Sequence, residues 1–315
     1  MGYFLRRRDY GNGRPLDELW EVTDTLAVRR DMADPRSVPC CYFEAAPGEN
    51  AWTTMARLDP TWSLLGGRDG FHEATLLPGQ YHPRMARPLS HMRSPNTGWN
   101  PRTLDSDINF LAGAVDQLKT LTRHLSRICQ TVHPSIETFE TYGHEIRNLL
   151  ILACMEAETH WRGILECNGV RPRQNASGEY LGFSTNDYVK LQNSMRLGDY
   201  SVSFHTYPWI PTIRPFENWS ATKPTGSLRW YDAYNKVKHN RENEFREATL
   251  AHSFEAISAC LVMIIAQFGE GWGFGYGLEI SSFFKISQHP RWNLSEHYIP
   301  PSEPILVWSP INYIF

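Results

Sequence analysis

The sequence has no long apolar run, no paired cysteine motif and no excess of positive charge. Its longest uninterrupted apolar stretch, Cys260–Ala266, is far shorter than the roughly 20 residues that a transmembrane helix needs, so we expect no membrane contact. The six cysteines include no CxxC pair, which favours a reduced, cytoplasmic protein. The net charge of −3 does not suit a protein that binds nucleic acid over its whole surface, so any contact with RNA must be local.

The chain also lacks the short motifs of several large enzyme classes. It has no Walker loop, no GxGxxG after a predicted strand and no GxSxG. Its first residues, MGYFLRRRDYGNG, carry cations without an apolar segment behind them, so we expect no signal peptide. No cofactor is predicted.

The pattern of the chain changes sharply near residue 105. Residues 1–104 are rich in Pro, Gly, Arg and Trp and show no helical period, which predicts an irregular arm with short strands, one of them at CCYFEA. Beyond that point apolar residues recur at helical spacing. The predicted helices span residues 106–131, 135–167, 228–242 and 244–268.

Two less regular segments complete the predicted organisation. Residues 170–226 form an insertion between helices, in which YSVSFHTY alternates as a strand does. Residues 271–315 form an irregular tail that packs on the helices. The predicted fold is therefore mainly α: an antiparallel helical bundle over 105–270 with irregular N- and C-terminal extensions and a small β-containing insertion.

The stretch WYDAYNKVKHNRENEF, residues 230–245, carries the most promising polar residues. On a helix Tyr231, Tyr234 and Lys238 share one face, and Asn235 and His239 lie on the adjoining face. Cleavage of RNA without a metal needs a group that moves the 2′-hydroxyl proton and cations that stabilise the phosphate charge. Histidine supplies the first near neutral pH, and lysine or arginine supplies the second.

The spacing Asn235-x-x-x-His239, on a helix that leads into a long apolar helix and follows a helical hairpin, resembles the HEPN superfamily. HEPN proteins are helical bundles common among prokaryotic ribonucleases, toxins and phage-defence proteins. The resemblance covers residues 105–168 and 227–268. It implies a HEPN-like bundle that dimerises so that two motifs meet. The family motif has an Arg before the Asn, and here Tyr234 stands in its place.

The resemblance implies the following roles. His239 is the candidate general acid or base, and Asn235 orients its ring. Lys238 and Arg241 are the candidates that stabilise the charge on the phosphorane. The plain alternative for these residues is a solvated helix end whose charges balance neighbouring glutamates.

Further candidates lie on the same helix and on the one before it. Tyr231 and Tyr234 are either platforms for stacked bases or core packing residues. In HEIRN, Arg147 either replaces the missing cation from across the bundle or pairs with Glu145. No metal site is predicted. Glu156 and His160 have the spacing of two metal ligands on one helix face, but no further ligands match them.

The expected function is RNA-directed. The first hypothesis is a metal-independent endoribonuclease of toxin or phage-defence type. The alternative is a catalytically inactive HEPN-like module that binds or assembles with a protein or nucleic-acid partner. Tyr234 in place of Arg favours the module, whereas Asn235, His239 and the neighbouring cations favour the enzyme. The expected partners are RNA and a protein, either a different one or a second copy.

Overall fold

The computed structural model describes residues 1–9, 16–90, 105–270, 278–301 and 308–315. The predicted domain boundaries at residues 104 and 271 lie outside these ranges. The strands are β1 (Gly2–Arg8), β2 (Leu16–Val22), β3 (Leu26–Arg29), β4 (Tyr42–Glu44), β5 (Phe71–Glu73), β6 (Gln80–Tyr81), β7 (Ser201–Phe204), β8 (Phe284–Gln288) and β9 (Ser309–Pro310). The helices are α1 (Ala51–Leu58), α2 (Asp105–Cys129), α3 (His144–Cys167), α4 (Thr185–Tyr188), α5 (Leu191–Ser194), α6 (Arg229–His239), α7 (Arg241–Glu244), α8 (Leu250–Phe268) and α9 (Leu278–Phe283).

The chain folds into two compact units. Unit 1 consists of Met1–Tyr81, Arg87–Thr97 and Trp292–Pro310. Unit 2 consists of His82–Ala86, Gly98–Arg291 and Ile311–Phe315. Each unit has its own hydrophobic core.

Unit 1 is built on a five-stranded antiparallel sheet with the strand order β4-β3-β2-β1-β5. Helix α1 covers one face, where Trp20, Phe43, Met55 and Phe71 form the centre of a buried cluster. Two-residue strands β6 and β9 form a separate parallel pair. The predicted fold class, mainly α with an irregular N-terminal extension, is therefore wrong: this segment holds a five-stranded sheet and a helix.

Buried charges explain why the sheet has no clear apolar alternation in the sequence. Arg6 is only 1% exposed, and its guanidinium bonds Glu18 at 2.8 Å and Asp59 at 3.1 Å. The same guanidinium lies over the rings of Trp20 and Phe71. A cation buried this deeply is stable only when it is paired and hydrogen-bonded. Charged residues thus occupy core positions that a sequence pattern assigns to the surface.

Unit 2 is organised around α8, which packs against α2, α3 and α6. The helix is apolar on nearly its whole circumference, and it is long enough to cross a membrane by length and composition. However, 83% of its most apolar window is buried inside the protein. Burial on all sides is typical of a core helix in a globular protein.

Helices α3 and α8 match their predicted C-terminal ends more closely than their N-terminal ends, whereas both ends of α2 and α6 lie within three residues of the prediction. Helix α3 begins at His144 rather than near residue 135, and α8 begins after the N-cap Thr249. Both helices end close to the glycines that the sequence suggested, and Gly169 and Gly269 have positive φ angles. N-terminal ends are hard to place because the polar residues ahead of α3 and α8 fit either a helix or a turn.

The segment predicted as an insertion belongs to the core of unit 2. Tyr188, Phe216 and Trp219 pack around the buried indole of Trp161 on α3. Strand β7 pairs with β8, which lies in the predicted irregular tail. The strand predicted in YSVSFHTY is confirmed by β7, but the predicted irregular C-terminal extension is wrong, because β8 in that segment forms an antiparallel pair with β7.

Replacing Arg6 with alanine should destabilise unit 1 strongly. The substitution leaves Glu18 and Asp59 buried without their cation, and breaking such a pair costs about 3–5 kcal/mol. Urea denaturation followed by tryptophan fluorescence measures the change in midpoint.

Arg30→Ala is the matched control. Arg30 pairs with Glu21 at 2.6 Å on the surface, where its side chain is 45% exposed, so its loss should change stability by less than about 1 kcal/mol. Equal midpoints for the two variants would contradict a stabilising role for the buried network.

Candidate functional site

Helix α6 presents a buried face to α3 and α8 and a polar face to solvent. Its aromatic residues Trp230, Tyr231 and Tyr234 are each at most 4% exposed. The Nε1 of Trp230 donates to the carbonyl of Pro215 at 2.8 Å. The aromatic part of the motif therefore anchors the helix, and its polar part forms the exposed end.

Tyr231 and Tyr234 lie in the seam between α3 and α6. The Tyr231 hydroxyl donates to Glu158 at 2.6 Å. Burial, and to a smaller extent this bond, raise the pKa of the hydroxyl well above its ordinary range. Cys154, also in the seam, is fully buried, and burial raises the pKa of its thiol well above the usual value. Neither tyrosine ring is open to a ligand in this arrangement.

Two of the polar candidates on α6, Lys238 and Asn235, bond within their own helix. The Lys238 ammonium donates to the Tyr234 hydroxyl at 2.9 Å, and this bond raises the lysine pKa. The Asn235 amide donates to the carbonyl of Tyr231 at 2.9 Å and so makes no bond to His239. His239 is exposed, and no bond to its ring occurs in the described part of the chain. The backbone of Arg241 begins α7, but its side chain lies outside the described atoms.

The two candidates on α3 do not meet each other. Glu145 bonds the Nε2 of His124 on α2 at 2.8 Å. Arg147 donates to the side-chain oxygen of Asn148 at 3.4 Å. The expected ion pair between Glu145 and Arg147 is not the contact that forms, because Glu145 faces α2.

A cavity of about 390 Å³ opens where α2 ends and α3 begins. We call it the α2–α3 pocket. Its lining residues are His124, Arg127, Ile128, Thr131, Val132, Thr141, Tyr142, Gly143, His144, Glu145 and Ile146. Isoleucine and valine side chains provide an apolar surface, and cationic and acidic groups stand beside it. This combination is typical of sites that bind a small planar ligand.

Aromatic rings border the pocket on its outer side. Tyr142 is 54% exposed, and its ring contacts that of Phe245 at 6.0 Å between centroids. His144 contacts the same phenylalanine at 4.9 Å. Because Phe245 directly follows α7, these rings join the pocket to the segment beyond α6.

The exposed tyrosine Tyr142 lines two cavities, and each of them contains an arginine. Arg127 is exposed in the α2–α3 pocket. Arg246 is exposed in a second cavity of about 230 Å³, which also includes Glu140 and Glu247. Each cavity thus combines the tyrosine with a cation.

Sequence reasoning missed this pocket. His124 and Phe245 lie within the predicted helices 106–131 and 244–268, and helical spacing alone does not bring them together. A turn-forming YGH directly before α3 was the available signal, since it places Tyr142 and His144 on either side of a glycine. That signal identifies a loop, but not the partners that the loop meets.

No group of three or more His, Cys, Asp and Glu side chains suited to a metal occurs within the described ranges. Glu156 and His160 do lie close together, 3.3 Å apart. His160 is completely buried, and its Nδ1 is 2.8 Å from the amide nitrogen of Gln267. The pair belongs to the packing between α3 and α8.

Comparisons with known proteins give no assignment: no family model matches the chain, and no curated protein or solved structure matches it either.

Tyr231→Phe should lower the stability of unit 2 by about 1.5–3 kcal/mol, the range for a hydrogen bond to a charged group. Urea denaturation at neutral pH measures this change in the free energy of unfolding. Tyr180→Phe, at a tyrosine that is 60% exposed, is the matched control and should leave the midpoint unchanged.

The same variant should also change the response to alkali. The unfolded chain loses the tyrosine proton near pH 10.0, whereas folded Tyr231 retains it, so stability falls as pH rises above that value. Without the hydroxyl the fall should be less steep. Parallel slopes in wild type and variant would contradict the raised pKa.

Proposed function

We propose that the protein binds single-stranded RNA at the α2–α3 pocket and the rings beside it, and that it does so without cleaving the strand. The observation that carries the proposal is the exposed ring of Tyr142, which lines one cavity with Arg127 and a second cavity with Arg246. Proteins that bind single strands combine aromatic platforms for bases with cations for the phosphates.

Two further observations favour RNA over a protein partner. Base stacking needs rings with a free face, and Tyr142 and His144 are both exposed. Arg127 and Arg246 provide the local positive charge at this surface that a chain with a net charge of −3 needs for such a contact. The resemblance of the α6 motif to HEPN proteins also favours RNA as the partner.

The contacts within α6 favour binding over cleavage. A nuclease needs Lys238 near the phosphate and Asn235 near the histidine ring. Instead the lysine holds the Tyr234 hydroxyl and the amide holds a backbone carbonyl. A tyrosine that is 1% exposed at the position of the family arginine anchors the helix and supplies no cation.

A second candidate function is metal-independent cleavage of RNA in a dimer. The observation that favours it is the exposed and unbonded ring of His239, which a second copy of the chain is able to approach. In that arrangement the histidine moves the 2′-hydroxyl proton and the partner copy supplies the cations.

Tyr142→Ala should weaken the binding of single-stranded RNA about tenfold to a hundredfold, the effect of losing one stacked base. Fluorescence anisotropy with a labelled RNA of mixed sequence measures the dissociation constant. Binding should weaken with added salt, because the arginines displace counterions from the phosphates.

Tyr180→Ala serves as the control, since this ring is exposed at 60% outside the pocket. If the two alanine variants bind RNA equally well, or if wild type binds none, the proposed function is wrong.

His239→Ala separates the two candidate functions. For a binding protein, neither wild type nor variant cleaves RNA in the presence of EDTA. For a nuclease, wild type cleaves and the variant loses at least about a hundredfold in rate, the usual contribution of a general acid or base. His205→Ala, at another exposed histidine of unit 2, controls for loss of a surface imidazole.

A further inference from the structure

One group in the α2–α3 pocket has the chemistry to select a base. Glu145 lines the pocket, and its carboxylate is held by the ring of His124, whose Nε2 lies 2.8 Å from Oε2. The side chain is 62% exposed, so its other oxygen and the remaining lone pair of Oε2 are open to a ligand. A fixed carboxylate with free acceptor positions recognises a group that offers two parallel donors.

Guanine is the base that offers this pair of donors. Its N1–H and exocyclic N2–H point in the same direction, so each is able to donate to one oxygen of a carboxylate. Adenine has an acceptor at N1, and uracil has a single ring donor between two carbonyls, so neither offers two adjacent donors to the carboxylate. Inosine retains N1–H but lacks the amine, so it offers only one of the two donors.

The rest of the pocket fits the remaining parts of a guanine nucleotide. Ile128, Val132 and Ile146 provide apolar contacts for the faces and edge of a purine. Tyr142 provides an exposed ring for stacking. Arg127 stands at the same pocket for the phosphate. A cavity of about 390 Å³ lies at the small end of the range for ligand sites, as suits one nucleotide.

We propose that the α2–α3 pocket selects guanine, as a free nucleotide or as one residue of a strand, through a bidentate hydrogen bond to Glu145. His124 is a positioning residue, because it holds the carboxylate and does not touch the base. Selection of guanine within a strand rests on the proposed function. Recognition of the base itself does not, because free nucleotides test the pocket alone.

Isothermal titration with single nucleotides tests the selectivity. GMP should bind more tightly than IMP by about tenfold, the effect of one hydrogen bond to a charged group, and more tightly than AMP by a larger factor. Glu145→Gln should weaken GMP binding by about tenfold or more, because an amide presents only one acceptor. Equal binding of GMP and AMP, or an unchanged affinity in the variant, would overturn the inference.

Glu166→Gln is the matched control, since Glu166 is exposed near the other end of the same helix. It removes the same charge and should leave GMP binding unchanged. If both glutamine variants weaken binding equally, the effect of Glu145→Gln is not specific to the pocket, and guanine selection is overturned.

A second measurement separates this inference from the proposed function. Anisotropy compares two oligouridine strands, one with a central guanine and one with a central adenine. Binding of both strands with equal affinity overturns guanine selection and leaves RNA binding intact. Binding of GMP without binding of either strand overturns the RNA function and supports the guanine pocket. Tighter binding of the guanine strand supports both.

Discussion

The constraint on which unit 2 depends is the burial of α8. A helix that is apolar on nearly all sides is stable in water only when other elements cover its whole circumference. Helices α2, α3 and α6 and strand β7 provide that cover. Small polar side chains permit close contact with α3: the Ser253 hydroxyl donates to the carbonyl of Ile146, and the Cys260 thiol donates to that of Ala153. By fixing α2 and α3, this packing also fixes the walls of the pocket between them.

Unit 1 differs from unit 2 because it buries charged side chains. Arg6, Glu18 and Asp59 satisfy one another beneath α1, with aromatic rings around them. Burial alone would raise the pKa of Asp59, but hydrogen bonds from Thr61 and Arg6 outweigh burial, so the pKa lies below its ordinary value. The carboxylate therefore stays ionised beside its cation at neutral pH. Removing any single member of such a network costs more stability than the intact network adds.

At the end of α6, one residue changes the structural role of a sequence motif. A tyrosine at position 234 is large and apolar enough to pack against α3, and its hydroxyl holds Lys238. The helix then contributes anchoring residues on one face and polar side chains, His239 among them, on the other. The residues with free surfaces for a ligand come from elsewhere, from the turn before α3 and from the residue after α7. These segments are far apart in sequence, and the packing around α8 brings them together.

The sequence by itself determined the long helices of unit 2, because a repeat of apolar residues at helical spacing has only one efficient way to be buried. It also located the glycines that end α3 and α8. Only the tertiary structure decided that the first hundred residues hold a sheet, since Arg6 and Glu18 sit in its core and hide the alternation that marks a strand. The pocket was likewise beyond the sequence: Glu145 met His124 rather than Arg147 because the orientation of α3 against α2 sets the partner, and local spacing carries no information about that orientation.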